Sequence, residues 1–216
     1  MRRAQLSDEV AGHLRTAIMS GTLRAGTFIR LDETAAELGV SITPVREALL
    51  KLRGEGMVQL EPHRGHVVLP LTRQDIEDIF WLQATIAREL AVSATQGITE
   101  REIVELERIN DLLAAAVGTG DAEAIASLEF SVHRVFNQAS GRIKLAWFLL
   151  NAARYMPAQL YAADPQWGEA AVDNHHRLIA ALRSRDSVAV VEHTAWQFTD
   201  AARRLIETLD RTGSFS

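Results

Sequence analysis

Apolar residues recur at helical spacing along most of this chain, with one short interruption. Val10, Leu14, Ala17 and Ile18 form a first stripe, with Ser7 placed to cap it and Gly21 placed to stop it. A second, short helix is expected over Glu33–Leu38, opened by Asp32 and closed by Gly39. A third opens at Ser41 or Thr43 and tolerates Pro44 in its first turn. It carries Val45, Leu49 and Leu52 on one face until Gly54 and Gly56. The period then changes. Met57-Val58-Gln59-Leu60 and His66-Val67-Val68-Leu69 read as two short strands around a Glu61–Gly65 turn.

Beyond residue 70 the helical period returns and stays. The pattern predicts helices near 73–96, 100–117, 121–139, 142–162, 168–184 and 187–210, separated by Gly118-Thr119-Gly120, Ser140-Gly141 and Asp164-Pro165. Thr99 with Glu102 has capping-box spacing, and Thr72 with Asp75 comes close to it. The expected fold is therefore mainly α. An N-terminal unit of three helices plus a small β-hairpin occupies residues 1–70, and an all-α bundle occupies residues 71–216.

Composition narrows the chemistry. The 216 residues are 47% hydrophobic and 24% charged, ordinary values for a folded protein. The absence of Cys excludes disulfides, thiol nucleophiles and cysteine zinc sites. No apolar run reaches the roughly 18 residues of a membrane span, and the opening residues have no signal-peptide core. A cytoplasmic protein with no membrane partner is the expectation.

The net charge of −5 argues against nucleic acid only until it is divided. Residues 1–70 hold 9 basic and 8 acidic side chains, whereas residues 71–216 hold 14 and 20. The acid sits in the bundle, so a near-neutral N-terminal unit can still bind DNA through a few arginines on one face.

Two short helices across Gly39 have the spacing of a helix-turn-helix, which presents its second helix to a major groove. That helix offers Ser41, Thr43, Pro44, Arg46 and Lys51, and the hairpin tip offers His63, Arg64 and Gly65. Hydroxyls and helix amides suit phosphates, and an Arg fork suits a guanine edge. The bland alternative is a small helical unit with solvated arginines.

The stretch from Leu38 to Leu49 (LGVSITPVREAL), with Leu52, Glu55-Gly56, Arg64-Gly65 and Val67, closely resembles the winged helix-turn-helix of GntR-type transcription regulators. Leu14, Ile18, Gly21, Leu23 and Gly26 resemble the first helix and turn of that module. The resemblance implies that Arg46 reads guanine and that Thr43 and the wing touch DNA nearby. Ile42 departs from it, since many relatives carry Arg there, and this bears on operator sequence and affinity.

The second part resembles the FCD effector-binding domain of the FadR branch, chiefly through spacing. Glu129-x3-His133 with Gly141 resembles that branch's Asp-x3-His stretch, and His175 with Leu178, Ala181 and Asp186 resembles its second His segment. The resemblance implies a divalent transition metal (Zn, Ni or Mn) inside the bundle, completed by an organic acid or related metabolite. Residues i and i+4 share a helix face, so Glu129 and His133 can converge on one ion, with His175 from a facing helix as a third ligand. Gln197 stands where the last family His falls, and an amide is a poor ligand for such a metal. His193, one turn earlier, is a candidate substitute, whereas the adjacent His176 points about 100° away from His175. Gln83 stands where many relatives have an Arg that clamps an effector carboxylate, and Arg154 is a candidate anion contact. The aromatics Trp81, Trp147, Phe148, Tyr155, Tyr161, Trp167 and Trp196 suit a pocket, a core or a dimer interface.

The expectation is a homodimeric, non-enzymatic transcription regulator, a repressor released from a palindromic double-stranded DNA operator by a small-molecule effector. Two alternatives remain at this stage. One is a constitutive DNA-binding dimer with no effector, and the other is a helical metal-dependent hydrolase with Glu129 as base.

Overall fold

The computed structural model describes residues 2–213 and 215, with side chains of residues 2–4 left aside. The chain forms two compact units. The first holds residues 1–76 with 154–157 and 205–216, and the second holds 77–153 with 158–204.

In the first unit, α1 (Arg2–Met19) packs on α3 (Ile42–Gly54), with α2 (Leu31–Glu37) beside α3. Val10, Leu14, Ile18 and Met19 of α1 meet Val45, Leu49 and Leu52 of α3 in a closed core, each no more than 4% exposed. Burying side chains of this size stabilises by about 1.5–3 kcal/mol each. Gly39 holds φ +64 between α2 and α3, a left-handed turn that other residues adopt only under strain. Arg30, rather than Asp32, occupies the N-cap of α2, and Asp32 sits in its first turn.

The hairpin is β2 (Val58–Glu61) with β3 (Gly65–Val68), paired as Val58↔Val68 and Leu60↔His66. A third strand, β1 (Phe28–Ile29), pairs with the other edge of β3 as Phe28↔Val67 and Ile29↔His66. The sheet order is β1-β3-β2, so the expected two-stranded wing is three-stranded. Gly65 is required twice over: its φ is +103, and a Cβ there would lie 3.2 Å from the Ile29 carbonyl oxygen. Two ion pairs tie α3 to α1. Arg15 donates twice to Glu55 (2.8 and 2.6 Å), and Lys51 donates to Asp8 (2.6 Å) and Ser7 (2.9 Å).

The second unit is built from α4 (Arg73–Gly97) beyond its first turn, α5 (Glu100–Thr119), α6 (Ala122–Ala139), α7 (Ile143–Ala152), α8 (Ala158–Ala162), α9 (Pro165–Arg183) and α10 (Ser187–Thr212) up to residue 204. The expected helix over 142–162 is broken. A 3-10 turn covers Ala153–Tyr155 and α8 restarts after Pro157, whose missing N–H cannot continue the ladder. Both expected boxes form, Thr99 with Glu102 and Thr72 with Asp75. Helix α9 starts three residues earlier than 168, because Asp164 caps it and Pro165 takes its first position.

Helix α5 packs against both α6 and α9. Ile103, Leu106 and Ile109 join Phe136, Leu178 and Leu182 in one core. Arg185 donates to the carbonyl oxygens of Thr95 (2.6 Å) and Ile98 (2.7 Å), which gives the C-terminal end of α4 a cationic cap.

Candidate functional site

Two regions carry chemistry, one on the surface of the first unit and one buried in the second. On the surface, Ser41 is the exposed N-cap of α3, and its hydroxyl makes no capping bond. Arg46 is exposed one turn on, and Thr43 is half-buried. Pro44 is buried, so the structure gives it the role of starting the helix rather than meeting a ligand. Lys51, partly exposed, donates its ammonium to Asp8 and Ser7 on α1 and so braces the two helices. His63 and Arg64 are exposed at the wing tip, His63 with φ +64 and Arg64 with its guanidinium 4.4 Å from the centre of the Phe28 ring.

The buried region assembles from three helices. Glu129 and His133 lie one turn apart on α6, and His175 reaches them from α9. Glu129 Oε2 is 3.7 Å from His133 Nε2 and 3.8 Å from His175 Nε2. Both gaps exceed a hydrogen bond, which needs about 2.7–3.2 Å. The rings of His133 and His175 stand 6.3 Å apart and nearly perpendicular. Glu129 Oε1 and His175 Nε2 are buried with no partner.

The hydrogen bonds around the cluster settle which ring nitrogen carries the proton. Asn110, on α5, donates its amide to the Val172 carbonyl oxygen at 3.2 Å, so its Oδ1 faces His175 Nδ1 as an acceptor at 3.1 Å. His175 Nδ1 therefore holds the hydrogen, and Nε2 presents a bare lone pair toward Glu129. The same device recurs on the neighbouring helix. Asn174 donates to the His193 carbonyl oxygen at 3.1 Å, and its Oδ1 accepts from His193 Nδ1 at 3.1 Å. His193 Nε2 is thus also left as an acceptor.

Burial sets the charge of the cluster. It pushes the Glu129 carboxyl up to about 8 and His175 down to about 3, the latter helped by the nearby charges of His133 and His176. His133 is lowered for the same reason, although a third of its side chain stays exposed. Near pH 7 the histidines are neutral and carry the lone pairs that bind electrophiles.

Three other expected residues have their own surroundings. Gln83 is fully buried on α4, donates to the Ala152 carbonyl oxygen at 2.8 Å, and leaves Oε1 unpartnered. Gln197 has a buried, unpartnered Nε2. Arg154 is exposed in the first unit, where its charge acts on Asp8 and Tyr155. His176 is exposed, as its position next to His175 implies. Asn110 and Asn174 were not singled out from the sequence. The available signal was an Asn inside the apolar stripe of α5, between Leu106 and Leu113.

An external recognition helix with a wing, joined to a helical unit with unpaired buried donors, defines a class: a DNA-binding regulator with an internal ligand site. Residues 6–68 match the bacterial regulatory proteins of the gntR family. Residues 78–196 match the FCD domain. The HTH-type transcriptional regulator McbR of Escherichia coli K12 is 26% identical over 197 residues, 86% of each chain. The gluconate operon transcriptional repressor of Bacillus licheniformis is 25% identical over 211 residues, 93% of this chain and 85% of that one. A solved structure of E. coli McbR/YncC shares the fold with a TM-score of 0.73 and 24% identity, covering 94% of this chain and 97% of that one. The chain belongs to the GntR family of bacterial regulatory proteins, in the branch that carries an FCD domain, and is a DNA-binding transcription regulator. Among the described residues no helix is long and apolar enough to cross a membrane.

Proposed function

We propose that the protein is a cytoplasmic, homodimeric repressor whose two winged units grip a palindromic operator and release it when a small metabolite occupies the Glu129–His133–His175 cluster. The relatives named as repressors support the sign of regulation. The observation that carries the sensing role is the buried Nε2 of His175, aimed at Glu129 by Asn110 and given no partner. Leaving such a group unsatisfied costs roughly 1–3 kcal/mol, a cost that a bound ligand removes.

A metal suits the donor set in kind. One carboxyl group, which gives up its proton on binding, and two neutral imidazoles suit zinc, nickel or manganese, and Asn110, which accepts from His175 Nδ1, is the partner that a ligating His requires. The fit is incomplete as the residues stand. Among the described residues no three His, Asp or Glu side chains are closed to metal-binding distance. Donors on one zinc, with bonds of about 2.0–2.2 Å, sit closer than the 3.7 and 3.8 Å gaps seen here. Glu129, His133 and His175 would hold the ion after a small inward movement, and the ion would supply a positive charge for a carboxylate effector.

Dimerisation is supported by the surface. Trp81 and Leu82 on α4, and Ile143, Trp147, Phe148 and Leu150 on α7, are 46–82% exposed. Large apolar side chains concentrated in this way mark association surfaces.

Operator fragments selected from a random duplex pool provide the test. Binding of the full-length protein should follow a dimer, and zinc together with a carboxylate library should yield at least one compound that releases the DNA. If no metal or acid alters affinity, while dimeric DNA binding persists, the protein is a constitutive binder.

A further inference from the structure

We propose that the depression between β1 and the wing tip is a seat for a DNA backbone phosphate, with Arg30 and Arg64 as its cations and Phe28 as the platform that positions Arg64. The depression is lined by Phe28, Arg30, His63 and Arg64. Neither Phe28 nor Arg30 belongs to the recognition helix or the hairpin, and both reach the wing only because β1 adds itself to the free edge of β3.

The placement follows from strand alternation. Ile29 points into the core at 4% exposure, so the flanking Phe28 and Arg30 turn to the opposite, outer side. From across the sheet, the left-handed backbone at His63 turns the chain so that Arg64 lies over the Phe28 ring, 4.4 Å from its centre. A guanidinium stacked on a ring is restrained, yet its N–H donors lie in the guanidinium plane and remain free for an oxyanion. Such a restrained fork loses less entropy on binding phosphate than a solvated Arg does.

Arg30 provides the second positive charge. Its neighbour is Glu33, at 3.3 Å in a pair with both side chains more than 60% exposed. Exposed pairs of this kind contribute little, so a phosphate displaces Glu33 at small cost. The shared chemistry is that of any phosphate diester, and the position beside the wing assigns it to the operator backbone. Contacts of this kind set the register of a protein on a duplex without reading its sequence.

The test uses the full chain and a random-sequence duplex of about 30 base pairs, titrated between roughly 50 and 200 mM salt. Arg30→Gln and Arg64→Gln should each weaken binding several-fold. Each should also flatten the salt slope by about one phosphate, and by the same amount on any sequence. Phe28→Ala should reproduce the Arg64→Gln loss and add nothing when the two are combined, whereas Phe28→Tyr, which keeps the ring, should bind as the parent does. A melting temperature matching the parent separates these effects from unfolding. An unchanged slope in Arg30→Gln removes Arg30 from the interface. A Phe28→Ala loss that adds fully to Arg64→Gln, or that Phe28→Tyr shares, overturns the platform role. If Phe28→Ala fails to fold, Arg30→Gln and Phe28→Tyr still decide the proposal.

Discussion

The two units handle their buried polar groups in opposite ways. In the winged unit the polar side chains that enter the interior are matched there. Arg15, 4% exposed, is clasped by Glu55, and at the surface Lys51 is held by Asp8 and Ser7; His66 Nε2 is the exception. In the helical unit Gln83 Oε1, Glu129 Oε1, His175 Nε2 and Gln197 Nε2 are all buried without partners. One unit is complete as a fold and acts through what it shows outside. The other keeps donors and acceptors without partners inside, and the proposed ligand would complete them.

This contrast is broken most forcefully at Glu55. Removing one partner of a buried ion pair costs about 3–5 kcal/mol, and Glu55→Ala leaves Arg15 stranded against α3. Chemical denaturation should show a loss near the lower end of that range, because Glu55 keeps some contact with water. Arg46→Ala should leave stability unchanged and weaken binding to a selected operator by about 1–3 kcal/mol, with relaxed base preference at one position per half-site. Lys51→Met sharpens the distinction between bracing and DNA contact, since it should lower the melting temperature while leaving the salt slope of DNA binding in place.

In the helical unit the corresponding change is Asn110→Ala. It removes the acceptor that fixes His175, and metal affinity measured by competition should fall about 10–100-fold. A smaller effect is expected at the start of α5. Thr99→Ala deletes a capping box and should cost about 1 kcal/mol in thermal unfolding, with no effect on ligand or DNA.

The contrast also explains how much the sequence revealed. The helices of the winged unit and its hairpin were legible because glycines punctuate them and apolar residues keep a strict period. Strand β1 was not, because two residues carry no alternation and the strand exists only by pairing with β3. The break near Pro157 was hidden by apolar residues whose helical spacing continues through it.

Within the buried site, the resemblance to the FCD domain points to Glu129, His133 and His175, and the structure brings these three together. What escaped was the part that depends on partners. Asn110 and Asn174 look like neutral polar residues in an apolar stripe until each is seen holding a histidine. Lys51 and Arg154 carried charges that fitted a ligand role, and only tertiary contacts reveal that Asp8 lies beside both.

The most direct test is the melting temperature of the full-length, chelator-treated protein with and without zinc, in parallel with a His133→Ala/His175→Ala variant. A rise in the parent that is absent from the double variant is the predicted result, because a ligand that binds only the folded cluster stabilises it by mass action. No rise in the parent, or an equal rise in both, would contradict the proposal that these unpaired donors take up a metal ion.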